Sequence, residues 1–282
     1  GHETVVSQIV ADELTITPDD VRVVSGIDTA QRFWSITTGT YSSRFASVGA
    51  SAVAMATRRV KEKLIAIASH ELEVDKKDLE LSDGAVRIKS APERKVSIRR
   101  LAGTAHWNQG NLPEGMEPGI QGTYTYNFPT SKSPDGKDRV DSSATYGFIA
   151  DLAAVEIDPL TGQIEIKKYV TVHDCGTLIN PKIVEGQVFG SFLHGLGGTF
   201  YEEMPYDESG QFLAGSLIDY MCPTAVEMPS LEVGHLEIPS PVTVLGSKGC
   251  GESCTMSVPA CLANAVSNAL RPLGISVTSL PL

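Results

Sequence analysis

The residues best suited to chemistry lie in a glycine-rich stretch near the end of the chain. Gly246, Gly249 and Gly251 fall within six residues, and glycines can take positive φ and let backbone approach a bulky ligand closely. Glu252 follows as the single carboxylate of this loop, and a helix is expected to begin near Pro259. A glycine-rich loop, one acid and a helix start predict a place that holds an anionic cofactor and moves a proton beside it.

The same stretch also has a simpler interpretation as a tight turn before a helix, with Glu252 in solvent. It is not a P-loop, because the G-x-x-x-x-G-K-[ST] order is absent, and it is not a G-x-G-x-x-G fingerprint after a strand. Spacing alone therefore leaves a cofactor site and a plain turn open.

Two further stretches have residue types that suit an anionic ligand. The chain begins at Gly1, directly before a helical pattern, and a helix start offers N–H groups to anions, although a capped surface helix is the simpler explanation. Residues 35–49 combine hydroxyls and glycines with one cation, Arg44, which suits phosphate or ribose but also describes an ordinary loop. The abrupt start predicts a cut piece or one half of a split protein.

A helix predicted from about Ile183 to Glu203 contains several glycines, among them Gly186 and Gly190. Each interior glycine costs a helix about 1 kcal/mol relative to alanine. We therefore expect close approach by another backbone or a ligand, with Gln187 able to hydrogen-bond that ligand. His194 of the same helix is expected to be a packed core histidine.

Composition limits the class of protein. The chain has 282 residues, 41% hydrophobic and 20% charged, which is ordinary for a globular protein. Its net charge of -11 argues against nucleic acid as a partner. No run approaches the roughly 20 apolar residues of a membrane span, and no signal peptide opens the chain, so a cytoplasmic location is expected.

The five cysteines form no C-x-x-C pair. Cys250 and Cys254 lie four positions apart across the glycine-rich loop, which resembles metal ligation. Small buried thiols in a reducing compartment are the more common case, so no metal is expected on these cysteines.

Hydrophobic periodicity predicts an α+β fold in two successive α/β blocks of mixed sheets and helices, residues 1–100 and 145–282, joined by an extended segment, 101–144. The aromatic residues expected to anchor that segment are Trp107, Tyr124, Tyr126 and Phe128. The individual elements predicted are a helix over 5–14, a turn at 17–20, a strand at 21–24, a helix over 51–70, a hairpin over 79–88 turning at 83–84, a hairpin over 150–172 and a frayed or severed tail at 275–282.

Several strings, taken together and in order, resemble the molybdenum hydroxylases, the family of xanthine dehydrogenase, aldehyde oxidoreductase and molybdenum-containing carbon monoxide dehydrogenase. The resemblance covers nearly the whole chain. The strings are Gly1–Thr4, Gly39–Arg44, Asn111–Gly115, Asn180–Pro181, Glu185–Gly190, Gly215–Tyr220, Pro223–Ala225 and Gly246–Ser253. Those at 219–220 and 223–225 lean toward the carbon monoxide dehydrogenase-like branch of bacterial large subunits.

The resemblance implies a C-terminal, molybdopterin-binding portion of the large subunit. In that family the loop glutamate is the catalytic base, so Glu252 would take a proton from the metal-bound hydroxide that attacks an electron-poor substrate carbon. The bacterial branch generally uses molybdopterin cytosine dinucleotide with molybdenum. The residues that the resemblance implies as its contacts are Gly1, His2, Glu3, Thr4, Thr40, Ser42, Ser43, Arg44, Gln187, Gly190, Ser247, Lys248 and Gly249.

The resemblance also implies partners. An N-terminal half of the large subunit, a 2Fe-2S iron–sulfur subunit and an FAD subunit would complete the enzyme, which would act on a small-molecule substrate. Residues 253–256 depart from the proline-containing versions expected after the glutamate, so the substrate stays unassigned. Two other hypotheses stay open, namely an isolated, cofactor-free domain and a non-catalytic assembly subunit, although a scaffold would have no use for Glu252.

Overall fold

The computed structural model describes residues 1–26, 39–141 and 143–282, and it divides the chain into two compact units. Unit 1 comprises Gly1–Thr40, Phe45–Ala144 and Val242–Leu245; unit 2 comprises Tyr41–Arg44, Thr145–Pro241 and Gly246–Leu282. Both combine helices with a small sheet, so the α+β class is confirmed. Each unit also contains one short segment from the other end of the sequence, Val242–Leu245 in unit 1 and Tyr41–Arg44 in unit 2. Two blocks that simply follow one another along the chain would not exchange such segments.

Two helices form one side of unit 1. Helix α1, His2–Leu14, buries Val5, Ile9 and Leu14 at the three-to-five-residue spacing of one face. It packs against α2, Ala50–Leu72, and ends at Thr15, which takes the left-handed conformation. The turn predicted at 17–20 is a short 3-10 helix closed by a capping box between Thr17 and Asp20.

A three-stranded antiparallel sheet completes unit 1, with β1 at Leu79–Ser82, β2 at Ala85–Ile88 and β3 at Ala91–Ser97. The hairpin turn at Asp83 and Gly84 is confirmed, and both residues have positive φ, 50° and 67°, as a type I′ turn requires. Helix α3, Ile98–Trp107, follows β3 directly. The buried core of this unit is Leu14, Leu64, Ile67, Ala68, Leu79, Leu81, Val86, Ile88, Val96, Leu101 and Ala105.

Three predictions for unit 1 are wrong or incomplete. Residues 21–24 form no strand, since β1, β2 and β3 pair only with one another. The segment expected to be extended from residue 101 begins inside α3, and Trp107 at the end of that helix is 91% exposed, so it is not a packed anchor. Two of the other aromatic residues of this segment do make contacts. The Tyr124 ring centroid lies 4.7 Å from the Arg59 guanidinium, and the Tyr126 hydroxyl donates to the carbonyl of Val242.

Unit 2 is built on a mixed sheet of three strands, β4 at Phe148–Ile157, β5 at Ile164–Asp174 and β6 at Leu231–Leu236. Strands β4 and β5 form the predicted antiparallel hairpin, and β6 adds in parallel to β5. The hairpin turn is closed by Asp158, whose carboxylate accepts from the Leu160 amide at 2.8 Å, and by Gly162 at φ 76°. This hairpin prediction is therefore confirmed.

Two helices pack in unit 2, α4 at Pro181–Phe200 and α5 at Ser253–Leu270. Asn180 caps α4, since its side-chain oxygen accepts from the Ile183 amide at 3.0 Å. The buried core between helices and sheet is Tyr169, Val188, Phe192, Leu196, Cys254, Val258 and Leu262. This core fixes α5, and therefore the loop before it, against β5.

The end of the chain is bonded to unit 2, so the prediction of a frayed tail is wrong. The Leu282 amide donates to the Thr199 carbonyl at 2.7 Å, and the Val277 amide donates to the Ser267 hydroxyl at 3.0 Å.

Among the helices that the structure describes, none has the length and apolar character to cross a membrane.

Candidate functional site

Helix α5 begins at Ser253, six residues before the proline at which it was expected to start. Its buried positions, Cys254, Val258 and Leu262, recur every four residues and place Pro259 in the helix interior, where it forgoes one backbone hydrogen bond. Glu252 is therefore the N-cap residue and is exposed. The helix dipole favours negative charge at this position.

Three parts of unit 2 that are remote in sequence meet around Glu252. The Ser43 hydroxyl donates to Glu252 Oε2 at 3.4 Å, although the two residues are 209 positions apart. A Cβ added at Gly251 would lie 2.8 Å from Gln187 Oε1 and 3.2 Å from Ser43 Oγ. A hydroxyl therefore contacts the carboxylate and a side-chain amide lies beside the glycine before it, where a larger residue at 251 would displace the ends of both side chains.

Gly249 makes a second close approach in the same loop. A Cβ there would lie 2.6 Å from Ser43 Cβ and 3.1 Å from the Ser43 carbonyl oxygen. The loop therefore needs glycine at this position for its own packing. The loop backbone was predicted to approach a ligand closely, but at Gly249 it closely approaches Ser42 and Ser43 instead.

The segment that meets the loop has unusual backbone geometry. Ser42 and Ser43 both have positive φ, 54° and 51°, which costs about 1–3 kcal/mol for each residue that is not glycine. Arg44 follows, half-buried, with its guanidinium 5.3 Å from the Tyr41 ring centroid. Strained backbone of this kind recurs at ligand-binding positions.

One face of α4 is exposed and glycine-rich beside this cluster. Gln187 and Gly190 are exposed, and a Cβ added at Gly186 or Gly190 would meet no described atom within 4 Å. Only part of the glycine pattern therefore serves helix packing. His194 is also exposed, so the expectation of a packed core histidine is wrong.

The loop is fastened to the end of β5 by a buried ion pair. Lys248 Nζ lies 2.7 Å from Asp174 Oδ2, with side-chain exposures of 10% and 4%. The Lys248 amide donates to the Cys175 carbonyl at 2.8 Å, and Gly176 and Ser247 form an isolated antiparallel bridge. The side chain of Lys248 is therefore engaged with Asp174, and its contribution to a ligand site is the position of the loop.

Sequence reasoning did not identify Asp174 as a site residue. The signals that could have indicated it are an acid at the end of a strand and a lysine in the glycine-rich loop. Burial raises the pKa of Asp174, but hydrogen bonds from the Lys248 ammonium and from the amides of Gly176 and Ile238 lower it further, so the pKa lies below the usual value. The carboxylate is ionised at neutral pH and holds the lysine.

Three cysteines lie near the loop, and none belongs to a metal cluster within the described ranges 1–26, 39–141 and 143–282. A hydrogen bond from the Cys250 thiol lowers the pKa of Cys175, and the same bond raises the pKa of Cys250. Burial raises the pKa of Cys254.

The residues predicted at the start of the chain lie in unit 1, as does Thr40. Gly1 is the N-cap of α1 and has no side-chain capping bond, the His2 ring stacks on Phe45 at 4.0 Å, and the Glu3 carboxylate accepts from Ser25 at 2.8 Å. Thr4 and Thr40 are exposed. Of the polar positions noted at 35–49, those up to residue 38 lie outside the described residues.

Comparison with known proteins matches residues 1–229 to a family model described as a molybdopterin cofactor-binding domain. The chain belongs to the molybdenum hydroxylase family. It is the molybdopterin-binding part of a large subunit.

Relatives with curated names support this assignment over the full chain. The nicotine 6-hydroxylase large subunit of Paenarthrobacter nicotinovorans is 36% identical over 281 residues, which is 100% of this chain and 32% of the relative. The carbon monoxide dehydrogenase large chain of Afipia carboxidovorans is 36% identical over 282 residues, again 100% and 32%. The structure of quinoline 2-oxidoreductase from Pseudomonas putida 86 superposes with a TM-score of 0.86 at 33% identity, covering 100% of this chain and 34% of that one.

This molybdenum hydroxylase part therefore spans about a third of the length of the relatives it matches. Its described residues fit an anionic, hydrogen-bonding cofactor. Unit 2 has the Ser43 hydroxyl on the exposed Glu252 carboxylate, the Gln187 amide beside Gly251 and the Arg44 guanidinium next to Ser43 in sequence, and the adjoining face of α4 has glycines where side chains would otherwise project.

Proposed function

We propose that this chain supplies the catalytic base and part of the cofactor site of a molybdenum-dependent hydroxylase, with Glu252 as the base. The observation that carries the proposal is the position of Glu252. It is an exposed carboxylate at the N-terminus of α5, with the Ser43 hydroxyl on Oε2 and the Gln187 amide beside the preceding glycine. No other acid among the described residues combines these features with the family's loop.

The proposed reaction oxidises a carbon of a small-molecule substrate with oxygen derived from water. The molybdenum cofactor, when bound, supplies the two-electron acceptor. Glu252 takes the proton from the attacking oxygen, which requires an ionised carboxylate within hydrogen-bond reach of it. The Ser43 hydroxyl, donating to Oε2, orients the carboxylate and leaves Oε1 available.

The cofactor is proposed to be molybdopterin cytosine dinucleotide. In unit 2 the groups proposed to hold it are the Ser42 and Ser43 segment, the Arg44 guanidinium, the Gln187 amide, the open backbone at Gly190 and the loop at 247–249. Arg44 and the hydroxyls suit phosphate oxygens, and Gln187 can both donate and accept at a heterocycle. Gly1–Thr4 and Thr40 are proposed as further contacts, supported by the uncapped start of α1.

The proposed partners are the remaining portion of the large subunit, which would lie on its N-terminal side, an iron–sulfur subunit and an FAD subunit. The names of the relatives, large subunit and large chain, support a multi-chain enzyme. Those names also refer to nicotine, carbon monoxide and quinoline, so the family handles varied small molecules, and we assign none of them here. A cytoplasmic location and no role for nucleic acid complete the proposal.

Replacing the base tests this function. In the enzyme assembled with its partner chains, Glu252→Gln keeps the size of the side chain and one acceptor oxygen for Ser43 but removes the basic carboxylate. We expect turnover to be abolished while the molybdenum content, measured by elemental mass spectrometry, stays at the wild-type level. Glu208→Gln, at an exposed acid outside the site, is the matched control and should match wild type. Near-normal turnover in Glu252→Gln would refute the base assignment.

A further inference from the structure

The imidazole of His173 connects β5 to the first turn of α5, directly after Glu252. His173 is 1% exposed. Its Nδ1 lies 3.1 Å from Ser253 Oγ, and its Nε2 lies 3.0 Å from Thr171 Oγ1 and 3.4 Å from Cys254 Sγ. The proposed function does not use this ring, although its partners adjoin the catalytic loop.

The hydrogen-bond pattern fixes which ring nitrogen carries the proton. Ser253 Oγ lies 2.6 Å from the Cys250 carbonyl oxygen, and a carbonyl can only accept, so the single hydroxyl hydrogen of Ser253 is donated there. Towards His173, Ser253 Oγ is consequently an acceptor, and Nδ1 must be the donor. Burial lowers the pKa of His173, so the ring is neutral and Nε2 accepts from the Thr171 hydroxyl or the Cys254 thiol.

This bond orients the turn that contains Glu252. The Ser253 amide also donates to the Cys250 carbonyl, at 3.3 Å, so that one carbonyl closes the turn 250–253 through two donors. With its hydrogen committed, the Ser253 hydroxyl can make a further hydrogen bond only to a donor that faces its lone pairs. His173 is that donor, and it is anchored in β5 through the Thr171 hydroxyl.

We propose that His173 is a positioning residue, whose Nδ1–H holds Ser253 so that the turn 250–253 presents the Glu252 carboxylate beside Ser43. Its effect on turnover rests on the proposed function. Its tautomer and its hold on the turn do not, and they can be measured without substrate.

Two substitutions separate this role from plain core filling. In His173→Asn the side-chain amide occupies the place of Nδ1–H and can still donate to Ser253. In His173→Gln the amide reaches the place of Nε2 instead, towards Thr171 and Cys254. A residue that only fills space would tolerate glutamine at least as well as the smaller asparagine, whereas the positioning role favours asparagine.

The first measurement is the tautomer. Nitrogen-15 NMR of the full chain labelled at histidine, with the His173→Asn variant identifying the signal, should show a protonated Nδ1 and an unprotonated Nε2 at neutral pH. The opposite tautomer, or a doubly protonated ring, would overturn the proposal.

The second measurement is the effect on the turn and on turnover. In the assembled enzyme we expect His173→Gln to lower kcat by about tenfold to a hundredfold, the size of loss that a misplaced catalytic group produces, with KM unchanged. Amide hydrogen exchange at 250–253 should accelerate in His173→Gln but stay near wild type in His173→Asn, which should also keep most of kcat. Equal losses in both variants would refute the positioning role. If Glu252→Gln retained turnover, the base assignment would fail, while tautomer and exchange would still decide the role of His173.

Discussion

Gly195 lies at the packing contact between α4 and α5, and replacing it with alanine perturbs that contact directly. The new Cβ would lie 2.8 Å from Val258 Cβ and 2.9 Å from the Cys254 carbonyl oxygen, both on α5. The carbonyl belongs to the helix backbone, so the helices must separate. Overpacking of this kind costs about 1–3 kcal/mol. Alanine also gains about 1 kcal/mol of helix propensity over glycine, so we expect a net loss of up to about 2 kcal/mol.

Gly186→Ala is the matched control in the same helix, because a Cβ there meets no described atom within 4 Å. Both variants share the propensity gain, so the difference between their free energies of unfolding isolates the helix contact at about 1–3 kcal/mol. Urea titration with amide hydrogen exchange on α4 peptides reports unit 2, and α2 peptides serve as the reference for unit 1. A Gly195→Ala protein as stable as Gly186→Ala would refute the reasoning.

Two further predictions concern the loop and the cofactor groups. Lys248→Met leaves Asp174 buried without its cation and should lower the free energy of unfolding of unit 2 by about 3–5 kcal/mol at neutral pH. The folded pKa of Asp174 lies below its unfolded pKa of about 3.9, so the ion pair contributes its full stability above that unfolded pKa. The difference in free energy of unfolding between variant and wild type should therefore shrink as the pH falls from about 3.9 through the folded pKa of Asp174. A pH-independent difference would contradict this. Gln187→Ala and Arg44→Ala should lower the molybdenum content of the assembled enzyme without unfolding it, and full occupancy in both would remove them from the proposed site.

Local sequence patterns predicted the turns and helices that depend mainly on neighbouring residues. The turn at Asp83 and Gly84 follows from two residues that tolerate positive φ between strand-like runs. The long helix α2 follows from apolar periodicity, whereas α4 was expected as a helix with regularly placed glycines. The predicted start of α5 is wrong because proline fits a first helical turn equally well, whereas the four-residue spacing of Cys254 and Val258 belongs to a helix that begins at Ser253.

The environment of Glu252 could not be predicted from local patterns, because it depends on contacts between distant segments. Ser43 and Gln187 were candidate ligand residues, but their meeting beside Gly251 is a property of the folded unit. The pair of Asp174 and Lys248 depends on how the loop returns to the end of β5. The pattern of one strand does not predict that the acid at its end is buried.

The most direct test of the account is the molybdenum and nucleotide content of this chain, purified with whatever protein accompanies it. Molybdenum is measured by elemental mass spectrometry and cytidine monophosphate after acid release. We expect both near one equivalent per chain, with partner subunits present. A folded chain in an intact complex that contained neither would contradict it, and would leave Glu252 in a cofactor-free domain or assembly subunit with nothing to deprotonate.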